Sequence, residues 1–268
     1  MEERLVSVVI VGARGRMGQT LIREVLDSEH LTLVGAVERP GSPGIGSDAG
    51  AMVGMPTVGV PVSDELRPPR NCVVVDFSLP EATEEYIDVC VRDRAPLVLG
   101  TTGLTSDTRG KLKRASEDIP IVAAANFSVG VTLLTRLAAI AGKALGTEWE
   151  SEIFELHHRH KRDAPSGTAL RLAKAVAEAT DRTLDDAAVT MRGLDTGPRS
   201  KNEIGIMALR GGDSIGEHTL MFLGASERIE LTHRAFDRAI FARGALRAAH
   251  WVMGQQPGLY DMADVLGI

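Results

Sequence analysis

Short apolar runs alternate with amphipathic segments along the first half of the chain. Five runs rich in Val and Ile predict buried strands: Val6–Val11, Leu31–Val37, Cys72–Phe77, Leu97–Leu99 and Ile121–Ala124. Three segments between them carry apolar residues at helical spacing: Met17–Leu26, Glu81–Arg92 and Ser106–Glu117. Strands that alternate with helices predict a parallel sheet covered on both faces. We expect the Gly- and Pro-rich segment 40–61 to be a long mobile loop.

The pattern changes after Asn126. Two predicted helices flank one predicted strand: Val129–Leu145, Ser151–His158 and Thr168–Glu178. Three strand-like runs follow without helices between them: Ile204–Leu209, Glu217–Phe222 and Arg228–His233. This order predicts a second domain of α+β character with a mostly antiparallel or mixed sheet. A final helix is predicted at Phe236–Met253, but its packing partner cannot be read from the sequence.

A glycine loop follows the first predicted strand directly and begins the first helix. Its glycines are Gly12, Gly15 and Gly18, and Arg14 occupies the usual place of the second glycine in the G-x-G-x-x-G form. A pyrophosphate needs a tight turn, close backbone approach and the amino end of a helix. Glu38 ends the second strand, where a carboxylate accepts hydrogen bonds from an adenosine ribose. We predict a Rossmann-like dinucleotide site; the alternative is that these glycines only relieve packing.

Charged residues near this loop bear on the choice of cofactor. The carboxylate of Glu38 favours NADH. Three arginines can pair with the 2′-phosphate of NADPH: Arg14, Arg16 and Arg39. The alternative is that they are exposed loop charges. We predict that both cofactors are used.

Two further stretches end predicted strands at the edge where such sheets bind ligands. They are GTTG at residues 100–103 and AANFSVG at residues 124–130. Their small residues let backbone amides approach a flat ring, and Asn126 offers both a donor and an acceptor. Each stretch alone is a weak signal, so it is their position that indicates a cofactor site.

A cationic and titratable cluster, HHRHKR at residues 157–162, precedes a helix start in a chain of net charge −6. On a continued strand, one face carries His157, Arg159 and Lys161, and the other carries His158 and His160. A histidine or lysine here can deliver the proton that follows hydride addition to a C=C or C=N bond.

The residues after the cluster predict the start of a helix. Pro165 precedes Ser166, which we predict to be the helix cap, and Gly167 and Thr168 follow with the first backbone amides of the helix. These amides, together with the preceding cations, predict a receptor for a small carboxylate.

Three other interpretations of the cluster compete with this one. A metal site is disfavoured because a strand splits the histidines across its faces, and no H-E-x-x-H motif is present. A nucleic-acid surface is disfavoured by net acidity and by only 4% aromatic residues. A solvated basic turn stays possible. We therefore expect no metal and no nucleic-acid partner.

Cysteine usage and the lack of targeting signals bear on the cellular compartment that we expect for the chain. Cys72 and Cys90 lie in apolar surroundings without C-x-x-C spacing, which is typical of a reduced cytoplasmic protein. The first residues lack the basic region and long apolar run of a secretory signal. No stretch of the sequence approaches the 18 apolar residues that are needed to span a bilayer, so we expect no membrane association.

Five stretches resemble the dihydrodipicolinate reductase family, also called 4-hydroxy-tetrahydrodipicolinate reductase, over essentially the whole chain. They are VGARGRMG, GTTG, AANFSVGV, HHRHKRDAPSGTA and GEHT, in the order and approximate spacing of that family. The fourth is the most specific. The resemblance implies NAD(P)H-dependent reduction of 4-hydroxy-tetrahydrodipicolinate, a small dicarboxylate, to tetrahydrodipicolinate in diaminopimelate and lysine biosynthesis.

The resemblance also implies roles for individual residues. His157 would be the proton donor or acceptor and Lys161 the proton donor. Substrate would be bound by His158, Gly167 and Thr168. The cofactor pyrophosphate would be held by Gly12, Ala13, Arg14, Gly15, Arg16 and Met17, the ribose by Glu38 and the 2′-phosphate by Arg39. The nicotinamide side would be lined by Gly100, Thr101, Thr102, Ala124, Ala125, Asn126 and Phe127.

The family architecture supplies the domain boundaries that we expect. Residues 1–127 and 236–268 would form the dinucleotide-binding domain, and residues 128–235 a substrate-binding domain that assembles a homotetramer. Two alternatives stay open. One is another two-domain NAD(P)-dependent dehydrogenase acting on a small carboxylate. The other is a redox-sensing protein that binds NAD(H) as a signal, which would not need Lys161.

Overall fold

The computed structural model describes residues 5–268, which divide into two compact units. Unit 1 contains the described residues up to Val129 together with Ala239–Gly267, and unit 2 contains Gly130–Arg238. The chain therefore leaves unit 1 and returns to it after unit 2. The two crossings lie two and three residues beyond the expected boundaries at 127 and 235.

Unit 1 is built on a seven-stranded parallel sheet. With strands numbered along the whole chain, its members are β1 (Val6–Val11), β2 (Leu31–Val37), β3 (Val62–Ser63), β4 (Cys72–Asp76), β5 (Leu97–Leu99), β6 (Pro120–Ala123) and β12 (Gly258–Tyr260). Their spatial order is β12-β6-β5-β4-β1-β2-β3. β1 pairs with β2 on one side and with β4 on the other, so the order reverses between β1 and β4. Such a reversal opens a crevice at the carboxyl ends of these strands.

Helices cover the sheet of unit 1. They are α1 (Arg16–Leu26), α2 (Ala49–Met52), α3 (Pro80–Asp93), α4 (Ser106–Ala115), α8 (Ala239–Val252) and α9 (Met262–Leu266). α1 buries Gly18, Leu21, Ile22 and Val25, one helical face, and packs against α8. The predicted final helix begins at Ala239 instead of Phe236, whose side chain is exposed.

The segment expected to be a mobile loop contains α2 and is organised by one carboxylate. Asp48 accepts hydrogen bonds from four backbone amides at 2.8–3.2 Å: those of Gly50, Ala51, Val58 and Gly59. These bonds, led by that from Ala51, lower the pKa of Asp48 below its ordinary value. A single side chain thus closes a turn that composition alone does not reveal.

Unit 2 contains a mixed sheet, as predicted, and five of the described strands belong to it. Its strands are β7 (Glu150–His157), β8 (Ala188–Val189), β9 (Ile204–Arg210), β10 (Gly216–Leu223) and β11 (Arg228–Ala235). In the order β11-β10-β7-β9-β8, β10 runs antiparallel to both neighbours, whereas β7, β9 and β8 are parallel.

The helices of unit 2 are α5 (Val129–Leu145), α6 (Gly167–Ala179) and α7 (Leu184–Ala187). α6 packs on β7 and β9, and Ile153 lies with Leu172 and Val176 in the core between helix and sheet. The opposite sheet face carries exposed apolar side chains, including Phe154 and Leu209, which are 38% and 49% exposed. One face of this sheet is therefore covered and the other is open.

α5 contradicts the expectation that no apolar window approaches 18 residues. Together with the 3-10 turn that follows it, α5 forms a helical segment, Val129–Glu148, that is long and apolar enough to cross a membrane by length and composition. In this segment, 22% of the most apolar 18-residue stretch is buried. One such helix is weak evidence of a membrane span, because core helices pass the same test. Leu134 and Ala138 of α5 lie in the core of unit 2.

Candidate active site

The glycine loop of unit 1 leaves no space for side chains. Gly12 has φ +78°, and a Cβ there would lie 2.7 Å from the Phe77 carbonyl oxygen. A Cβ on Gly18 would lie 2.1 Å from the Gly12 carbonyl oxygen. Gly15 caps α1 without a side-chain hydrogen bond, so no side chain covers the first amides of the helix. The loop therefore offers a close backbone approach and a positive helix end, which fit a pyrophosphate.

Glu38 is tied to the glycine loop. Its carboxylate accepts hydrogen bonds from the backbone amides of Arg14 at 2.9 Å and Arg39 at 3.1 Å. The Arg14 guanidinium donates to the Pro43 carbonyl and lies beside Gly44. These bonds hold the loop, the end of β2 and the segment after it together around one space.

That space is a pocket of about 450 Å³ at the reversal point of the sheet. Its lining combines the glycine loop, charged residues and apolar side chains: Gly12, Arg14, Gly15, Glu38, Arg39, Ser42, Pro43, Phe77, Ser78, Leu79, Ala82 and Tyr86. The apolar wall suits a flat base, and the arginines suit a phosphate. Three other residues of the predicted set lie outside this pocket lining. Ala13 is buried in the core, Arg16 is exposed, and Met17 packs against the core.

Phe77, which the sequence analysis did not single out, joins the two stretches predicted to face the nicotinamide. A Cβ on Gly100 would overlap the Phe77 ring at 2.2 Å, and the rings of Phe77 and Phe127 are 5.5 Å apart. Of the neighbouring predicted residues, Thr102 and Ala125 are exposed. The carboxyl ends of β4, β5 and β6 thus meet at one aromatic contact.

Asp76, the last residue of β4, was not predicted as a site residue either, and its side chain is fully buried. It accepts hydrogen bonds from the Ser78 amide at 2.8 Å and from the hydroxyls of Thr83 and Thr101 at 3.2 and 3.3 Å. Burial raises the pKa of Asp76, although these bonds oppose the rise. The carboxylate fixes three segments at the ligand edge of the sheet.

In unit 2, β7 ends at His157, whose side chain is buried against a carboxylate. His157 Nδ1 contacts Glu155, which is fully buried and lies two residues earlier on the same strand face. Burial lowers the pKa of His157, whereas Glu155 raises it, and the net shift is downward. His157 is therefore neutral over much of the physiological pH range, as a proton-transfer group requires.

Lys161 lies in a turn instead of continuing the strand. The turn is closed by a hydrogen bond from the Lys161 amide to the His158 carbonyl at 3.1 Å, so the strand alternation expected beyond His157 was wrong. The Lys161 ammonium donates to both oxygens of Asp163, at 2.8 and 2.9 Å. Asp163 is exposed, so this ion pair is open to a competing carboxylate.

His158 contacts an arginine that the sequence analysis missed. Its Nε2 lies 3.3 Å from Arg238 Nη2, and its Nδ1 accepts from the His160 amide at 3.2 Å. Desolvation and the nearby Arg238 lower the pKa of His158. Arg238 adds a second cation next to a predicted substrate ligand.

The start of α6 agrees with the sequence prediction. Ser166 Oγ accepts from the Ala169 amide at 3.2 Å and lies 3.0 Å from Nε2 of His218 in β10. Gly167 is exposed and an added Cβ there would meet open space. The amino end of the helix, with Gly167 and Thr168 in its first turn, is therefore accessible to a ligand.

Comparison with known proteins identifies the family of the chain. Two family models, described as "Dihydrodipicolinate reductase, N-terminus" and "Dihydrodipicolinate reductase, C-terminus", match residues 6–127 and 130–266. The chain belongs to the dihydrodipicolinate reductase family. The predicted family and α/β architecture are confirmed, and the chain is an oxidoreductase dependent on NADH or NADPH.

Relatives of this chain match it over nearly its whole length. The 4-hydroxy-tetrahydrodipicolinate reductase of Thiobacillus denitrificans is 49% identical over 98% of this chain and 99% of its own. That of Myxococcus xanthus is 49% identical over 98% of each chain. A solved structure, dipicolinate-bound dihydrodipicolinate reductase from Paenisporosarcina sp. TG-14, has a TM-score of 0.78 at 25% identity and covers 97% of this chain and 98% of that one.

Proposed function

We propose that the chain reduces 4-hydroxy-tetrahydrodipicolinate to tetrahydrodipicolinate, a step of diaminopimelate and lysine biosynthesis. Overall, the substrate loses one water, gains one hydride from NADH or NADPH, and takes up one proton. The observation that carries this proposal is the cluster around His157 in a chain of this family. A buried imidazole and the Lys161 ammonium lie beside an accessible helix start, so proton transfer and carboxylate binding are both provided for.

The residues proposed to hold the cofactor belong to unit 1. The loop from Gly12 to Met17 would hold the pyrophosphate through its backbone, and Gly12, Arg14 and Gly15 of this loop line the pocket. Glu38 would hold the ribose and Arg39 the 2′-phosphate of NADPH. The nicotinamide side would be lined by Gly100, Thr101, Thr102, Ala124, Ala125, Asn126 and Phe127. When bound, either cofactor supplies the hydride.

The residues proposed to act on the substrate belong to unit 2. His158 and the amides at Gly167 and Thr168 hold the carboxylates through charge-assisted hydrogen bonds. Lys161 donates the proton, and a substrate carboxylate competes with Asp163 for its ammonium group. His157 donates or accepts a proton at its ring.

The open sheet face supports a proposed homotetramer. Exposed Phe154 and Leu209 on this face are apolar area that a second copy of the chain can cover. The buried free thiols Cys72 and Cys90 support a reducing compartment, and we propose the cytoplasm. Light scattering on the purified chain measures the assembly directly.

An activity assay tests the proposed function. NADPH absorbance is followed with substrate freshly generated by condensing pyruvate with aspartate semialdehyde. We expect turnover with NADPH and NADH, with kcat/KM values within a thousand-fold of each other, and competitive inhibition by pyridine-2,6-dicarboxylate. Cofactor binding without turnover of this substrate would support another dehydrogenase of a small carboxylate.

A further inference from the structure

Glu155 is a buried carboxylate for which the proposed reaction has no direct use. Its side chain is completely inaccessible to solvent. Oε1 accepts hydrogen bonds from the Ser166 amide at 3.0 Å and from Arg210 Nη2 at 2.9 Å. Oε2 accepts from Arg210 Nη1 at 2.8 Å and contacts His157 Nδ1. A buried carboxylate with this many donors joins the imidazole to the start of α6.

These contacts determine the protonation of both partners. Burial raises the pKa of Glu155, but the hydrogen bonds from Arg210, His157 and Ser166 outweigh it, and the net pKa is lowered. An ionised carboxylate only accepts hydrogen bonds, so His157 must carry a proton on Nδ1. Nε2 is then the ring nitrogen that gains or loses a proton.

Strand β10 shapes the other side of the His157 ring. The His218 ring meets it edge-on, with centroids 5.1 Å apart. A Cβ on Gly216 would lie 2.9 Å from His157 Nε2, so glycine at this position keeps the reactive nitrogen clear. This contact gives a physical reason for the glycine and the histidine of the GEHT stretch.

The charges facing His157 come from several elements. Glu155 on its own strand is negative, whereas Lys161 in the following turn and Arg210 of β9 are positive. His218 of β10 is neutral near pH 7, because burial and the neighbouring His157 lower its pKa to about 4. Glu155 is therefore the group among these that favours a positive charge on His157.

We propose that Glu155 is a positioning residue: it fixes the Nδ1–H tautomer of His157, makes Nε2 more basic and holds the start of α6 at a set distance from the imidazole. The inference rests on the proposed role of His157 in proton transfer. Groups that hydrogen-bond the second ring nitrogen of a metal-bound histidine typically change affinity or activity about 10- to 100-fold when they are removed, and we expect an effect of similar size at His157.

Glu155→Gln is the first test, because glutamine keeps the shape but loses the charge. We expect kcat to fall about tenfold or more, with the KM for the substrate and the Kd for NADPH changed less than threefold. When kcat is plotted against pH, the part of the curve that is set by titration of His157 is its pH limb. This pH limb should move to lower pH, since a lost negative charge disfavours the imidazolium ion.

Glu152→Gln is the matched control. Glu152 lies on the opposite face of the same strand and, like Glu155, is paired with arginine, in this case Arg192 and Arg199. Its loss should leave the pH limb in place. Equal displacement of the limb in both variants, or none in Glu155→Gln, would overturn the inference.

A spectroscopic measurement separates this inference from the proposed function and does not need a folded variant. In the wild-type enzyme with ¹⁵N-labelled histidine, neutral His157 should give the shifts of an Nδ1–H tautomer. An Nε2–H tautomer would overturn the role of Glu155 even if the enzyme is active. Conversely, unchanged kcat in His157→Ala would remove the proton-transfer role while leaving the tautomer result intact.

Discussion

The candidate binding regions of unit 1 and unit 2 differ in whether backbone or side chains shape them. The cofactor region of unit 1 is shaped mainly by backbone, because at Gly12 and Gly18 even one added carbon would overlap a carbonyl oxygen. The region of unit 2 is shaped by side chains, with a buried carboxylate, an arginine and an imidazole in mutual contact. We therefore expect the cofactor region to lose function when an atom is added to a glycine, and the region of unit 2 to lose function when a charge is removed.

This difference predicts separable defects. Substitutions in the glycine loop should impair cofactor binding and leave the proton-transfer groups in place, whereas substitutions around His157 should do the reverse. Two experiments test the separation and a third tests how burial in unit 2 affects stability; they follow from the largest expected effect to the smallest.

Lys161→Ala should lower kcat a hundred-fold or more, because it removes the proposed general acid. The Kd for NADPH, measured by fluorescence titration, should be unchanged. Lys174→Ala is the matched control: this lysine is exposed on α6 and pairs with Glu178 four residues on. A kcat for Lys161→Ala equal to that of the control would exclude Lys161 as the acid.

Gly18→Ala should raise the Kd for NADPH about 50-fold, because relieving a 2.1 Å approach displaces the loop by about 1 Å. Gly110→Ala is the control. Gly110 also lies within a helix, α4, but its added Cβ would meet only the end of Arg114 at 3.6 Å. This variant should bind NADPH normally and be slightly more stable, since alanine favours helix. Normal NADPH binding by Gly18→Ala would refute the backbone account.

His218 should make stability depend on pH. Its pKa is about 4 when folded and near 6.5 when unfolded, so above pH 6.5 both states are neutral. As the pH falls below 6.5 the unfolded chain binds the proton first, and stability is lost progressively down to pH 4. Between pH 8 and pH 6 the loss attributable to His218 is about 0.8 kcal/mol.

Urea unfolding at these two pH values measures this contribution. His218→Gln should show a pH dependence smaller by that amount, whereas His250→Gln, a change at an exposed position on α8, should match the wild type. An undiminished pH dependence in His218→Gln would mean that this histidine is not held neutral by burial.

Strands made of mostly apolar runs could be predicted from the sequence, whereas the two shortest strands could not. β1, β2 and β5 have the predicted bounds, because such apolar runs are typical of strands in a covered parallel sheet. β3 and β8 have two residues each and carry no period of their own. They exist only because a neighbouring strand offers hydrogen bonds, which is information from distant parts of the chain.

The candidate site shows the same division. Ser166 was predicted as a helix cap from local sequence and does cap α6. Arg210 could not be predicted, because it reaches Glu155 only through the pairing of β7 with β9 across 55 residues. Glu155 could have been found, since two residues along a strand return to the same face, which places it beside His157.

The late return of α8 has a consequence for how the protein is made. Ala242, Ala245 and Ala249 of α8 are fully buried in the same core as Ile10 and Leu21. A nascent chain that has left the ribosome only as far as residue 238 still lacks this layer, although its whole glycine loop is already outside. Nucleotide affinity should therefore arise late in translation, after the intervening segment has had time to form its own sheet.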